Sequence, residues 1–453
     1  MDLRRCSGPL SRRGVLQVGA LALGGLGFRD LLAAQSASGN RSSDTSVIML
    51  YLHGGPSQLE TYDLKPDAPI EYRSIYRPIA TNVPGMDICE KFPLQAAMAD
   101  KFSLVRSLTH DVNIHSDGGI VVLTGKRPAV LDPTSQSKSE HPDFGSIASL
   151  VRGVGRDAIP PYVAIPRRPY MTRPTYLGMH HAAMEVGDPS KEDFQPPYLA
   201  LTADSAASLD DRRALLSGLD QLRGDLDRTG QLNGTDEFRN RAFELLTSQR
   251  LEEAFRIDAE PAPLRDRYGR NLWGQSCLMA RRLAEAGSAV VNIYFNTPRS
   301  GPEFTNWDDH IMNAGRPGHF GKYMDVRLPY MDQALSALID DIWQRDLQQQ
   351  IMVVAVGEFG RTPRLSQNAS GVGRNHWPQA MTALVSGGGL RMGQVVGATN
   401  SKAEYPTERP YSPQDLLATV YQHLKIDPDA SFTDFAGRPI PILPHGKPIP
   451  ELT

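Results

Sequence analysis

The sequence is poor in cysteine: of 453 residues only Cys6, Cys89 and Cys277 are cysteines. None lies near the small-residue stretch that ends the N-terminal apolar run, which argues against a lipid anchor attached there. Cys89 and Cys277 can pair in an oxidising compartment, but their spacing does not decide it. An excess of basic charge is also missing. Lys plus Arg number 48 against 51 Asp plus Glu, a formal charge of −3. Residues 1–38 contain five arginines and two aspartates, so the rest of the chain carries −6. A nucleic-acid partner, which needs a basic face, is therefore not expected. The apolar run from Val15 to Phe28 is interrupted by Gln17 and falls short of the roughly 20 residues that span a bilayer. No repeat of fixed period, adhesive repeat or coiled coil is visible.

What is present begins with an address. Arg4 and Arg5 are followed by Ser11-Arg12-Arg13-Gly14-Val15-Leu16, then the Gly- and Ala-rich run, then small residues at Ala33, Ala34, Ser36, Ala37 and Ser38. Basic start, apolar run and small-residue tail stand in the order of an export signal, and the arginine pair matches the twin-arginine route. Residues 1–38 are thus read as a signal segment making transient contact with the twin-arginine export machinery. The expected location is the periplasm, the cell envelope or the exterior.

Residues 45–453 read as one large α/β domain. Short apolar runs at Ser46–Leu52, Phe102–Val105, Tyr162–Ile165, Ala289–Phe295, Ile351–Val356 and Met381–Val385 have the length and continuity of buried strands. Helical patterns lie between them, at Pro93–Ala99, Phe144–Val154, Gln275–Ala286, Tyr323–Arg345 and Pro413–Lys425. Ser412-Pro413 offers the last of these an N-cap and a proline at its first position. This alternation predicts a mainly parallel sheet with helices on both faces. Residues 205–260 break the alternation with charged, helix-forming sequence and read as a helical insertion. Residues 128–143 read as a long loop.

Parallel sheets collect ligands at the carboxyl ends of their strands, so the polar residues that follow each run carry the functional signal. His53-Gly54-Gly55-Pro56 follows the first run. Asn306-Trp307-Asp308-Asp309-His310 comes after the fourth, and Glu358-Phe359-Gly360-Arg361 after the fifth. Gly373-Arg374-Asn375-His376 precedes the sixth, and Asn113-Ile114-His115-Ser116-Asp117 opens a helical pattern reaching Gly125. Asp308 and His310 are two apart, so an extended chain turns both to one side. Carboxylate with imidazole suits zinc, manganese or iron, and Arg361 or Arg374 can offer a fork to an oxyanion. The His-Gly-Gly segment also fits an α/β-hydrolase oxyanion hole, but Gly274-Gln275-Ser276-Cys277-Leu278 lacks the closing glycine of a nucleophile elbow.

In this order, these segments resemble the family called domain of unknown function 1501. The likeness rests on Gly54-Gly55-Pro56-Ser57 with Tyr62-Asp63-Leu64-Lys65-Pro66, on His115-Ser116 through Leu123-Thr124-Gly125, and on His141-Pro142-Asp143-Phe144-Gly145-Ser146. Trp307-Asp308-Asp309-His310, Glu358-Phe359-Gly360-Arg361-Thr362-Pro363, Gly373-Arg374-Asn375-His376-Trp377 and Gly387-Gly388-Gly389 complete it. That family is similar to the alkaline phosphatase and sulfatase superfamily. The resemblance implies an alkaline-phosphatase-like sandwich and metal-dependent hydrolysis of phosphate or sulfate esters on a small-molecule or polysaccharide substrate. The implied cofactor is a divalent ion: zinc, manganese or calcium. Asp308, His310 and His376 match one metal site. Glu358 falls where an Asp-His pair would begin, with Phe359 in place of the histidine, and His53 stands where the first-strand carboxylate belongs. Both are implied as further ligands or as a base. His115 occupies the place of the sulfatase nucleophile, which excludes formylglycine chemistry and leaves Ser116 as the nearest hydroxyl, with Arg361 as the anion clamp. The alternative is a non-catalytic metal- or polysaccharide-binding envelope protein on the same scaffold.

Overall fold

The computed structural model describes residues 44–153, 159–195, 248–300, 306–313, 316–317, 320–369 and 371–453. The segment 1–38 lies outside them, as does most of the insertion expected over 205–260.

An eight-stranded sheet forms from β1 (Ser46–Tyr51), β2 (Ser103–Leu108), β3 (Tyr162–Ile165), β4 (Met184–Glu185), β5 (Val290–Tyr294), β6 (Ile351–Val356), β7 (Met381–Gly387) and β8 (Val395–Val396). Their order across the sheet is β8-β2-β7-β6-β1-β5-β3-β4. β1 pairs in parallel with β6 and with β5, and β3 with β5 and β4. β7 runs antiparallel to β6 and to β2, while β8 is parallel to β2. One reversed strand in a sheet of common direction is the mainly parallel α/β architecture that the alternation predicts.

The helices are α1 (Pro93–Ala96), α2 (His115–Thr124), α3 (Phe144–Arg152), α4 (Gln249–Phe255), α5 (Ala262–Tyr268), α6 (Leu272–Ala286), α7 (Phe320–Gln344) and α8 (Pro413–His423). They cover both faces. Ile48 and Leu50 of β1, Val291 and Ile293 of β5, and Val353 and Ala355 of β6 join one apolar core with residues of α6 and α7. The alternate residues Val47, Met49, Val290 and Val354 are equally buried but belong to the other face. There Gly145 of α3 lies so close to the Tyr162 ring that a Cβ would collide with it. Burial on both faces is why these strands read as unbroken apolar runs rather than as alternating patterns.

Most boundaries sit within a few residues of expectation. α8 begins as Ser412-Pro413 implies, with the Ser412 N–H donating to the Asp415 carboxylate at 2.8 Å. Residues 128–143 contain neither helix nor strand. Cys89 and Cys277 are both free and buried, and burial pushes the Cys89 thiol up to about 12. Among the described residues, no helix is long and apolar enough to cross a membrane.

Candidate metal centre

Because β1, β5 and β6 run together, the loops that follow them emerge at one end of the sheet. There the backbone of the first loop lies directly against the other two. A Cβ on Gly54 (φ 116°) would collide with the Asp308 nitrogen, and one on Gly55 (φ 77°) with the Phe359 ring. Only glycine accepts both the positive φ and the approach. The Gly54 N–H donates to Glu358 Oε1 at 2.7 Å and the Trp307 N–H to the His53 carbonyl at 3.0 Å. The three loops are thereby joined edge to edge.

The segment 307–310 alternates as its spacing predicts. Trp307 turns inward, stacks on Trp273 and donates Nε1–H to the Phe295 carbonyl at 2.9 Å. Asp309 also turns inward, paired with the buried Arg327. Asp308 and His310 are left on the open side. His115 enters from the first residue of α2, and His376 from a two-residue ribbon in which it pairs with Arg361.

One ligand atom each from His115, Asp308, His310 and His376 lies within 4.8 Å of all the others. Nε2 of His310 is 2.9 Å from Nε2 of His376 and 2.9 Å from Asp308 Oδ1. Nε2 of His376 and of His115 lie 3.2 and 3.3 Å from the same oxygen. Ligand atoms placed about 2.0–2.1 Å from a zinc-sized ion in tetrahedral array stand ~3.3 Å apart, and these separations are compatible with one ion held among the four.

The opposite side of each imidazole sets its tautomer. His376 Nδ1 faces the Asn113 carbonyl at 2.7 Å, His310 Nδ1 the Asn375 Oδ1 at 3.1 Å, and His115 Nδ1 the Glu358 carboxylate at 2.7 Å. All three partners are acceptors, so each Nδ1 carries a proton, and each Nε2, once it has lost its own proton to solvent, turns a lone pair inward. Three convergent lone pairs and a carboxylate repel one another unless a cation or proton lies between them. Such a donor set fits a divalent ion.

The electrostatics agree. Burial works against the Asp308 charge, but hydrogen bonds from His115, His310 and His376, with the Arg361 charge, hold the carboxyl well below the usual carboxylate range. Burial favours neutral His115, yet its bonds to Asp308 and Glu358 outweigh that and raise it to about 9. Burial also opposes the Glu358 charge, and the imidazoles of His53 and His115 hold that carboxyl down at about 2. His376 and His53 are both lowered, chiefly by burial.

The remaining candidates have other places. Glu358 is fully buried and orients His115 from behind rather than joining the four. His53 Nδ1 sits 3.6 Å from Glu358 Oε1, too far for a hydrogen bond; both His53 Nδ1 and Glu358 Oε2 are buried without a hydrogen-bond partner. The Ser116 hydroxyl is buried and donates to Asp117 at 2.8 Å. Arg361 is not an open fork. It is fully buried, and its guanidinium donates to the carbonyls of Gly54, Gly55 (2.8 Å) and Trp307 (3.2 Å) and to Asp308 Oδ1 (2.7 Å). Arg374 is likewise committed, as a buried bidentate partner of Glu60. The motifs do not single out Tyr170 and Tyr294, whose rings lie 5.7 and 5.3 Å from that of His53. Tyr294 ends β5 and Tyr170 follows β3, so the same strand-end test would find them.

A family model described as a protein of unknown function, DUF1501, matches residues 44–453. No curated protein matches the chain. Among solved structures, the lipoteichoic acid synthase LtaP of Listeria monocytogenes is 9% identical, covering 85% of this chain and 72% of its own, with a TM-score of 0.39. The PsFucS1 sulfatase of Pseudoalteromonas sp. is 11% identical, with coverages of 88% and 72% and a TM-score of 0.36. The phosphonate monoester hydrolase of Agrobacterium radiobacter is 12% identical, with coverages of 90% and 77% and a TM-score of 0.34.

Proposed function

Starting from the fact that this chain belongs to the DUF1501 family, we propose that it is a metal-dependent hydrolase of phosphate or sulfate esters, with His115, Asp308, His310 and His376 holding the ion. The observation that carries this reading is the convergence of three oriented Nε2 lone pairs on one carboxylate oxygen. Exposure supports catalysis over a purely structural role. The side chains of His115, Asp308, His310 and His376 are 16, 22, 27 and 21% accessible, whereas a structural zinc site is closed on all sides. A divalent ion there supplies charge to polarise an ester oxygen and to acidify a water.

The chain's own residues set the rest. Asp308 and Glu358 are balanced by Arg361 and the ion, leaving a net positive centre that favours an anionic ester over a neutral one. Glu358 fixes His115, and Asn375 and the Asn113 carbonyl fix His310 and His376. Neutral His53, its ring centre 5.7 Å from that of His115, is the base placed to take a proton. With the Ser116 hydroxyl bound to Asp117, the attacking group in this reading is water.

The test combines metal content with turnover. Purified protein is expected to hold about one divalent ion per chain and to hydrolyse an aryl phosphate or aryl sulfate in a panel run with zinc, manganese and calcium. The combined His310→Ala and His376→Ala variant should lose both. Equal metal content in the two proteins would reject the centre. Metal bound without turnover of any ester would favour the non-catalytic binding protein.

The proposal includes export by the twin-arginine route. Ligands drawn from residues 115, 308–310 and 376 meet only after folding, and that route carries folded cargo. Replacing both Arg12 and Arg13 by Lys should leave the uncleaved precursor in the cytoplasmic fraction. Unchanged export of that variant would remove the route from the reading.

A further inference from the structure

Arg361, Arg374 and Arg327 are buried and committed to partners beside the metal centre. Arg167 and Lys138, by contrast, are exposed and have no carboxylate partner among the described residues. Arg167 leaves the carboxyl end of β3, which runs parallel to β5 and so opens on the side where the ligand loops gather. Its guanidinium carbon lies 5.5 Å from the centre of the Tyr294 ring, and that ring is 5.3 Å from His53. Lys138 Nζ lies 4.7 Å from the centre of the Tyr170 ring and donates to the Tyr170 carbonyl at 2.8 Å. Tyr170 meets His53 edge-on at 5.7 Å. The two cations therefore stand on the two tyrosines whose rings meet His53.

A neighbouring cation is placed differently. Arg168, the next residue along, pairs with Glu185 at 3.3 Å. Packing on a tyrosine face restrains a long side chain that would otherwise sweep through solvent. A restrained cation without a counter-ion, two ring contacts from a metal ligand, is a prepared anion contact.

We propose that Arg167 and Lys138 form a recognition rim for a second negative charge on the ester handled by the metal centre. The substrate class is then a polyanionic one: a saccharide or cyclitol carrying sulfate or phosphate at more than one position. This rests on the hydrolase reading for the first charge, but the rim itself can be measured without turnover.

Isothermal titration of the metal-stripped protein with sucrose octasulfate, inositol hexakisphosphate and neutral sucrose separates the two. One or both polyanions should bind, more weakly as salt rises, and sucrose should not. The tighter of the two identifies sulfate or phosphate as the recognised group. Arg167→Gln with Lys138→Gln should weaken that binding at least tenfold. Lys425→Gln removes an exposed cation at the opposite end of the sheet, just past α8, where His423 meets the Ser46 carbonyl; it should leave binding unchanged. Absence of binding by either polyanion, or equal binding by the double variant, overturns the rim. Rim-dependent binding in a protein whose metal-loaded form hydrolyses no ester upholds the rim and rejects the hydrolase.

Discussion

Asp308→Asn is expected to abolish metal retention and turnover together while leaving the fold in place. The substitution keeps the shape of the side chain and removes the one charge that His115, His310, His376 and Arg361 all address. Loss of an outer-shell partner of a metal ligand costs roughly 10–100-fold in affinity; losing the charged ligand itself should exceed that. The ion-free centre also predicts a proton count. His115 has its pKa raised to about 9 without a metal, so near neutral pH it carries a proton that a bound ion must displace. The sign follows: uptake releases about one proton below pH 9, and affinity falls as the solution is acidified. Titration in two buffers of different ionisation enthalpy measures the release. Metal bound as tightly by Asp308→Asn as by the wild type, or uptake without proton release at pH 7, would count against the assignment of these four ligands.

The second large effect is expected on stability. Arg361→Met keeps an apolar stem of similar length but removes the guanidinium that joins the carbonyls of Gly54, Gly55 and Trp307 to Asp308. Breaking a buried ion pair by deleting one partner costs about 3–5 kcal/mol. Asp308 is partly reached by solvent, which places the expected loss near the lower end, about 3 kcal/mol. Urea unfolding of the metal-stripped proteins reads this directly, without a contribution from the ion. Arg361→Lys should recover only part of it, because an ammonium restores the charge but not the planar fork that reaches several acceptors at once. A Met variant as stable as the wild type would show that the loops are held together without Arg361.

Both predictions depend on contacts between segments far apart in sequence, and there the limits of sequence reading are plainest. Asp308 and His310 were legible because alternation in an extended segment is a local property. The fates of Arg361 and Ser116 were not. A strand-end arginine looks the same whether its fork faces a ligand or the carbonyls of a loop 300 residues earlier. A serine next to a catalytic-looking histidine looks the same whichever way its hydroxyl turns. Glu358 is expected from the sequence as a further ligand or a base; its hydrogen bond to His115 depends on an atom that the sequence does not place within bonding distance.

The sequence by itself determined the buried strands and their order of alternation with helices, because fully covered strands must be continuously apolar and the turns between them polar. It also determined which segments would meet, because parallel strands open their carboxyl ends to one side. Only the tertiary structure decided the neighbours within that meeting place: His115 beside Asp308, His310 and His376, Glu358 hydrogen-bonded behind His115, Arg361 bound to the carbonyls of the loops, and Arg167 and Lys138 against the rings of Tyr294 and Tyr170. The physical reason is one of range. Periodicity reports a residue's relation to its chain neighbours, whereas the direction and partner of a polar side chain are set by atoms that folding brings from elsewhere.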